Sequence, residues 1–263
     1  HKSSRGLGDV YKRQVMYAPT KDLTLMMMGT YVSKEMSLST YAAMMDRNLL
    51  GTFNTSSSDL SKLTFSALRT ISDMDNSKWH AEVTLQKSLG NNDQTGQVLT
   101  PMGTEMNMIL PYAMQPSDKA TRLILGLNNS RKLSEKVSWI SQARFKKVLD
   151  EKEWAYGDQL ELNSWVQYQY KPSLSVSTRL KFLNQKDISG SNPMIIAPVQ
   201  TANPQNYGGD EVHIGLGANY DLSSLTSKQD VFGVEILFPI IQDKNGLQME
   251  TRYQVLIGYQ RTF

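Results

Sequence analysis

The chain has 263 residues, of which 40% are hydrophobic and 20% charged, and its formal net charge is +3. It contains no cysteine, which excludes a disulfide framework, a thiolate metal site and a catalytic thiol. No run of about eighteen apolar residues occurs, so a helical membrane span is excluded, whereas a β-barrel is not, because only alternate strand residues face lipid.

The first fourteen residues differ in kind from the rest. They start on His1, contain no apolar core of a secretory signal, and carry Lys2, Arg5, Lys12 and Arg13 against Asp9. The stretch Gly6 to Gln14 resembles read-through translation of a transposon end used in preparing sequencing libraries. Residues 1–14 are therefore expected to be a non-native segment, and residues 15–263 a single domain whose native part begins near Val15. Removing the segment takes Lys+Arg from 28 to 24 and Asp+Glu from 25 to 24, so the charge falls from +3 to zero. The basic balance thus gives no support for a nucleic-acid partner.

Strand-length segments with turn signals between them fill the remainder, with no convincing helix. In chain order they are a remnant at Val15 to Ala18, then Leu23 to Val32, Leu63 to Ile71, Trp79 to Leu85 and Leu123 to Asn128. Val137 to Lys146, Leu160 to Tyr170, Leu174 to Phe182, Val212 to Tyr220, Phe232 to Ile240 and a closing strand ending at Phe263 complete the set. The links near Pro19, Asp75, Arg131, Pro172 and Ser224 are short or moderate. Those at Ser33 to Ser61, Gln86 to Arg122, Lys147 to Gln159 and Leu183 to Glu211 are mostly longer, although Gln242 to Gly246 is short on that same side. Short turns on one side and long loops on the other are the pattern of an outer-membrane barrel. About eleven strands with an even count required implies about twelve in the full protein, the first being absent here.

The faces follow from side chains alternating along a strand. Trp79, Ala81, Val83 and Leu85 are assigned to lipid, and His80, Glu82, Thr84 and Gln86 to the lumen. Leu174, Val176, Thr178, Leu180 and Phe182 oppose Ser175, Ser177, Arg179 and Lys181. Val212, Ile214, Leu216, Ala218 and Tyr220 oppose Glu211, His213, Gly215, Gly217 and Asn219. In the closing strand Tyr253, Val255, Ile257, Tyr259 and Phe263 share one parity and are expected to serve as the membrane-insertion signal. The predicted fold is all-β, a transmembrane antiparallel up-and-down barrel. A soluble antiparallel sandwich shares the alternation but explains the loop asymmetry and the terminal phenylalanine poorly.

Several stretches resemble one family: Met16 to Met26, Tyr156 to Asp158, Asn192 to Met194, Gly208 to Asn219, and above all Val234 to Glu250. This is the outer-membrane family named for the meta-pathway of phenol degradation. Relatives tend to have a small Ser-Gly-Thr turn where this chain has Ser117 to Thr121. The resemblance implies a barrel in the bacterial outer membrane and passage of hydrophobic or aromatic compounds. It also implies that an N-terminal strand and a signal peptide are missing here. It carries no catalytic or ligand residues and no cofactor.

The expected pore lining is His80, Glu82, Arg122, Arg144, Lys146, Glu161, Arg179, Lys181, Glu211, His213, Glu235 and Arg252. Such a lining selects solutes by size and field, or else is neutralised by pairs such as Arg144 with Glu161 and Glu235 with Arg252. An open lumen and a plugged or loop-occluded one stand level, because small barrels fill with side chains. The 14 methionines give an alternative reading, with Met26 and Met28 facing the lumen and Met106 and Met108 in a loop. Thioethers ligate Cu(I), but methionine is more often an adaptable apolar filler. His80 and His213 sit on strands far apart in sequence, so a Ser-His-acid triad has no support and no enzymatic activity is expected. The expected function is a channel or transporter for small hydrophobic or aromatic compounds; a copper-related barrel and a structural surface barrel are the alternatives. Its partners would be the lipid bilayer, the outer-membrane assembly machinery and a small-molecule solute, with no nucleic acid.

Overall fold

The computed structural model describes residues 5–43, 47–196, 200–223 and 229–262. Its strands are β1 (Arg5–Tyr17), β2 (Leu23–Tyr41), β3 (Leu49–Met74), β4 (Ser77–Ser88), β5 (Thr95–Leu99), β6 (Glu105–Ile109), β7 (Thr121–Lys132) and β8 (Val137–Asp150). These continue with β9 (Trp154–Ala155), β10 (Gln159–Lys171), β11 (Leu174–Gln185), β12 (Ser189–Gly190), β13 (Gly209–Asp221), β14 (Gln229–Lys244) and β15 (Gln254–Thr262). Eleven of them form a single sheet in the order β1-β2-β3-β4-β7-β8-β10-β11-β13-β14-β15. Each pairs antiparallel with its neighbour, the meander expected of an up-and-down barrel. Among the described residues β1 and β15 form no ladder with each other and are the two ends of the sheet.

Alternation decides which face meets which solvent. On β4, Glu82 and Thr84 are 6% and 1% exposed while Val83 and Leu85 are 52% and 48% exposed. The same inversion of a soluble protein's pattern recurs on β11, where Val176 and Leu180 are exposed and Ser175 is buried. On β13, Ile214 and Leu216 are exposed and His213 is buried. A sheet with apolar side chains outward and polar ones inward is stable only against hydrocarbon.

Two expectations need correction. Ser33 to Ser61 is not a loop: β2 continues to Tyr41 and β3 starts at Leu49, so the two form one long hairpin. Sequence alternation ends at Val32 because Val32, Met36 and Leu38 are apolar on the lumen parity, and Met36 and Leu38 pack against loop residues Leu110 and Met114 that fold inward. A bulge opposite Thr30 and Tyr31, which skips Ser61, then changes the parity of β3. Leu60 is exposed before the bulge and Lys62 lies on the inner face after it, a switch that bulges impose without a sequence signature. Finally, β1 starts at Arg5 rather than Val15, pairing Asp9 with Ser33 and Arg13 with Gly29. An exposed sheet edge offers backbone donors and acceptors to almost any segment, so the ladder through residues 5–14 makes few demands on side-chain identity.

Phe263, Met44, Met45 and the link 224–228 lie outside the described residues. On the side of the short turns the connections span 18–22, 75–76, 133–136 and 172–173. On the other side the length is concentrated in 89–120 and 186–208.

Candidate functional site

The inner wall is ordered by ion pairs that step over a strand. Glu82, Gly126 and Arg144 stand opposite one another on β4, β7 and β8. Gly126 has no side chain to block the gap: a Cβ there would lie 2.8 Å from the Glu82 carboxylate. Arg144 Nη2 therefore donates across β7 to Glu82 Oε1 at 2.9 Å. A second case lies on the far wall. Arg179 on β11 donates to Glu235 on β14 at 2.9 Å, passing Gly215 of β13, where a Cβ would stand 3.2 Å from both partners.

These contacts replace the pairs expected from neighbouring strands. Arg144 and Glu161 do face each other in the ladder, but Arg144 bonds Glu82 and Glu161 pairs with Lys181 at 3.4 Å. Arg252 precedes β15 and is exposed, while Glu235 faces Leu256; the two are not partners. The small wall residue Asn163 ties the network together. Its Oδ1 accepts from Arg179 Nε at 3.0 Å and Nη2 at 2.7 Å, and its Nδ2 donates to Glu161 at 2.7 Å. Arg179 also lies 4.6 Å over the ring of Trp165, a favourable cation–π geometry.

The other expected lining residues distribute as follows. His213 is 1% exposed, with Nε2 2.8 Å from Glu211 Oε2, and Glu211 also pairs with Lys244 at 3.3 Å. His80 is half-buried on β4, on a separate strand pair. Lys146 donates to Gln159 Oε1 at 2.8 Å. Met26 and Met28 keep the lumen parity of β2, but Met106 and Met108 belong to β6 in the long loop. Loop residues Leu110 and Met114 contact Met36, eight residues beyond Met28 and so about 26 Å further along the strand. The fold does not gather the four methionines into one set.

Above the wall, three loop segments converge into a cap. Tyr112, Trp154 and Tyr207 form its buried centre with Ile188, Ile195 and Ala202, and Tyr156 packs against them. The rings meet edge to face, with Tyr112 and Trp154 centroids 4.8 Å apart, the arrangement aromatic quadrupoles favour. Their hydroxyls satisfy loop backbone: Tyr156 donates to Tyr112 O at 2.8 Å and Tyr207 to Thr201 O at 2.7 Å. Asn192 N donates to the Tyr112 hydroxyl at 2.9 Å. Burial pushes the Tyr156 and Tyr207 hydroxyls well above the usual tyrosine range.

Asp118 bolts this cap to the wall. It lies in the stretch Ser117 to Thr121, 3% exposed, and accepts from both terminal guanidinium nitrogens of Arg122, from Nη1 at 3.0 Å. It also accepts from Tyr156 N at 3.0 Å and Ala120 N at 3.2 Å. Burial would raise this carboxyl, but the Arg122 hydrogen bonds and charge, with the two backbone donors, outweigh it and hold it below the usual carboxylate range. From the opposite side Lys34 Nζ donates to Ala113 O at 2.8 Å and Gln115 O at 2.7 Å. Beneath the cap lies a cavity of about 330 Å³ bounded by Lys34, Lys62, Gln86, Arg122, Lys146 and Tyr156.

Four contributors escape sequence reasoning: Lys34, Lys62, Asp118 and the Trp154 cluster. Lys34 lies in the extension of β2 and Lys62 one residue outside the expected strand Leu63 to Ile71; the others depend on loops meeting in space. A local signal does exist for the wall pairs, since Gly126 and Gly215 sit on the lumen parity of their strands.

No protein-family model and no curated protein matches the chain. Among solved structures it is similar to an outer-membrane channel from Pseudomonas putida F1, with TM-score 0.60 and 14% identity over 97% of this chain and 81% of that one. The NanC porin aligns over 98% of this chain and 99% of its own at TM-score 0.48 and 8% identity. A FadL homologue of Pseudomonas aeruginosa aligns over 90% and 60% at TM-score 0.47 and 9% identity. The last two superpose too loosely to argue from. The first, with the outward apolar face, defines the class: the chain has the fold of a bacterial outer-membrane β-barrel, and its place is the outer membrane.

Proposed function

We propose that this protein is a channel for small hydrophobic or aromatic compounds, of the phenol-degradation meta-pathway kind that its sequence resembles. The observation that carries this reading is the cap. A water-filled general pore needs an unobstructed lumen, whereas here the long loops fold inward onto an aromatic cluster of Tyr112, Trp154, Tyr156 and Tyr207. Tyr112, Trp154 and Tyr207 are buried within the cap, while Tyr156 borders the cavity beneath it and gives an apolar ring an aromatic surface to meet. The ion-paired polar wall and the inward loops disfavour large hydrated solutes. No catalytic constellation is part of this reading. The supporting partners are lipid around the wall, the assembly machinery that inserts it, and the solute within.

Planar-bilayer recording of the refolded chain tests the proposal. A small conductance that phenol added from the capped side blocks in a concentration-dependent manner, and that glucose leaves unchanged, is the expected result. Equal effects of phenol and glucose, or a large unblocked conductance, would overturn it.

A further inference from the structure

The cavity under the cap carries an electrostatic imbalance that the wall does not share. Glu82, Glu161, Glu211 and Glu235 each have a basic partner within ion-pair distance. Around the cavity, Arg122 is neutralised by Asp118, but Lys34, Lys62 and Lys146 pair with no carboxylate among the described residues. Lys34 spends two donors on loop carbonyls and Lys146 one on Gln159. The Lys62 side chain makes no hydrogen bond among the described residues. From residue 15 onward the charges acting on Lys62 are those of Arg122, Asp118 and Arg144, two of them positive, and Lys12 of the expected non-native segment adds a third. On Lys146 they are Lys62, Arg122, Arg144 and Glu161, and Glu161 is already held by Lys181.

Like charges crowded in a partly dehydrated space are costly, and the cost is removed when an anion enters. We propose that this cavity is a binding site for the carboxylate of a small aromatic acid, with Lys62 and Lys146 as its principal donors. The inference rests on the channel reading and specifies its solute class. Two features fix the ligand's remaining chemistry. A volume of about 330 Å³ is at the lower end for ligand sites, which span roughly 300–1,000 Å³, so it suits a single ring. The remaining wall includes Val32, Pro116 and Tyr156, an apolar and aromatic surface on which such a ring can lie. The ring and the charge of the solute are thus met by adjoining parts of one cavity, directly below the aromatic cap.

Calorimetric titration of the full chain folded in detergent tests the site with three probes: benzoate, its neutral isostere benzamide, and inorganic phosphate. A hydrogen bond to a charged group contributes about 1.5–3 kcal/mol, so benzoate should bind at least about tenfold tighter than benzamide. Lys62→Met should weaken benzoate by about tenfold or more while leaving benzamide unchanged, and Lys62→Arg should restore most of the loss. Heat-modifiable gel migration confirms that each variant is folded; if Lys62→Met is not, Lys146→Met must show the same selective loss. Equal affinity for benzoate and benzamide, or variants without effect, would overturn the site. Phosphate binding as tight as benzoate would replace it with a simple anion site and overturn the aromatic-acid assignment. Phenol block of the conductance is independent of these lysines: if it persists while benzoate selectivity fails, the channel stands and the site falls. If block is absent while benzoate binds selectively, the reverse holds.

Discussion

The cap and the wall beneath it solve opposite problems with the same chain. On the wall, inward positions are mostly polar, and Arg144–Glu82 and Arg179–Glu235 reach over glycines to neutralise one another. Its polar groups face a lumen and its apolar groups face lipid, so the order is that of a sheet turned inside out. The cap instead has an interior of the kind found in soluble proteins, with Trp154 and Tyr112 fully buried and tyrosine hydroxyls satisfying loop carbonyls. It is held to the wall by few contacts, chiefly Asp118–Arg122–Tyr156 and Lys34 with the carbonyls of Ala113 and Gln115. The wall is therefore set by periodic, local rules and the cap by a small number of specific long-range bonds. Damage to one should leave the other recognisable.

The largest effect should come from the bolt between them. Asp118→Ala leaves Arg122 buried without its partner and two backbone donors unsatisfied, a loss of about 3–5 kcal/mol from cap docking. Limited proteolysis should then cut within 89–120 while the strands resist, and the channel conductance should rise. The same bolt has a pH dependence with a definite sign. Because the folded Asp118 carboxyl lies below its ordinary value of 3.8, its stabilisation is complete above that value and is lost as pH falls through the lower, folded one. Cap opening, read as conductance, should therefore be absent near neutral pH and develop only in strong acid. A cap that opens between pH 5 and 7 would break the comparison.

A smaller but still clear effect is expected on the wall. Leu216, 61% exposed on the outward face of β13, should cost about 2–4 kcal/mol when changed to Lys, if it lies near the bilayer centre. Urea titration of refolding into vesicles measures this, and the cap's protease pattern should not change. The smallest effect is at the rim. Lys147 pairs with Asp158 at 2.7 Å but is 54% exposed, so Lys147→Ala should shift stability by less than about 1 kcal/mol. A shift comparable to that of Asp118→Ala would show that the rim, not the bolt, holds the cap.

Legibility in the sequence follows the same division. The faces of β4, β11 and β13 can be read directly because mostly apolar residues such as Val83, Leu180 and Leu216 alternate with polar or small ones such as Glu82, Arg179 and Gly215. The eleven-strand meander and its outer-membrane class follow from that reading. Lys34 could have been placed by continuing the parity of β2, but apolar Val32, Met36 and Leu38 on the inner face imitate the end of a strand. Lys62 lies one residue before the expected strand Leu63 to Ile71 and shares the inner parity of Thr64 and Ser66, so extending that strand back by one residue places it; the bulge at Ser61 reverses the parity only of the residues before it. The partners of Arg144 and Glu235 were missed for another reason: alternation predicts opposite residues, whereas a lumenal glycine lets a long side chain pass to the next strand. Asp118 and Trp154 acquire their meaning only when segments separated by tens of residues meet, a result of packing that periodicity does not encode.

The central claim is that the same strands present lipid on one face and an aqueous lumen on the other. With no native cysteine in the chain, single cysteines can be placed along β11 from Ser175 to Lys181 in protein reconstituted into vesicles. The account predicts strict alternation: thiols at 176, 178 and 180 are shielded from a water-soluble maleimide and quench a lipid-borne probe, while those at 175, 177, 179 and 181 react from water. Uniform reactivity along the strand, or the opposite parity, would contradict it.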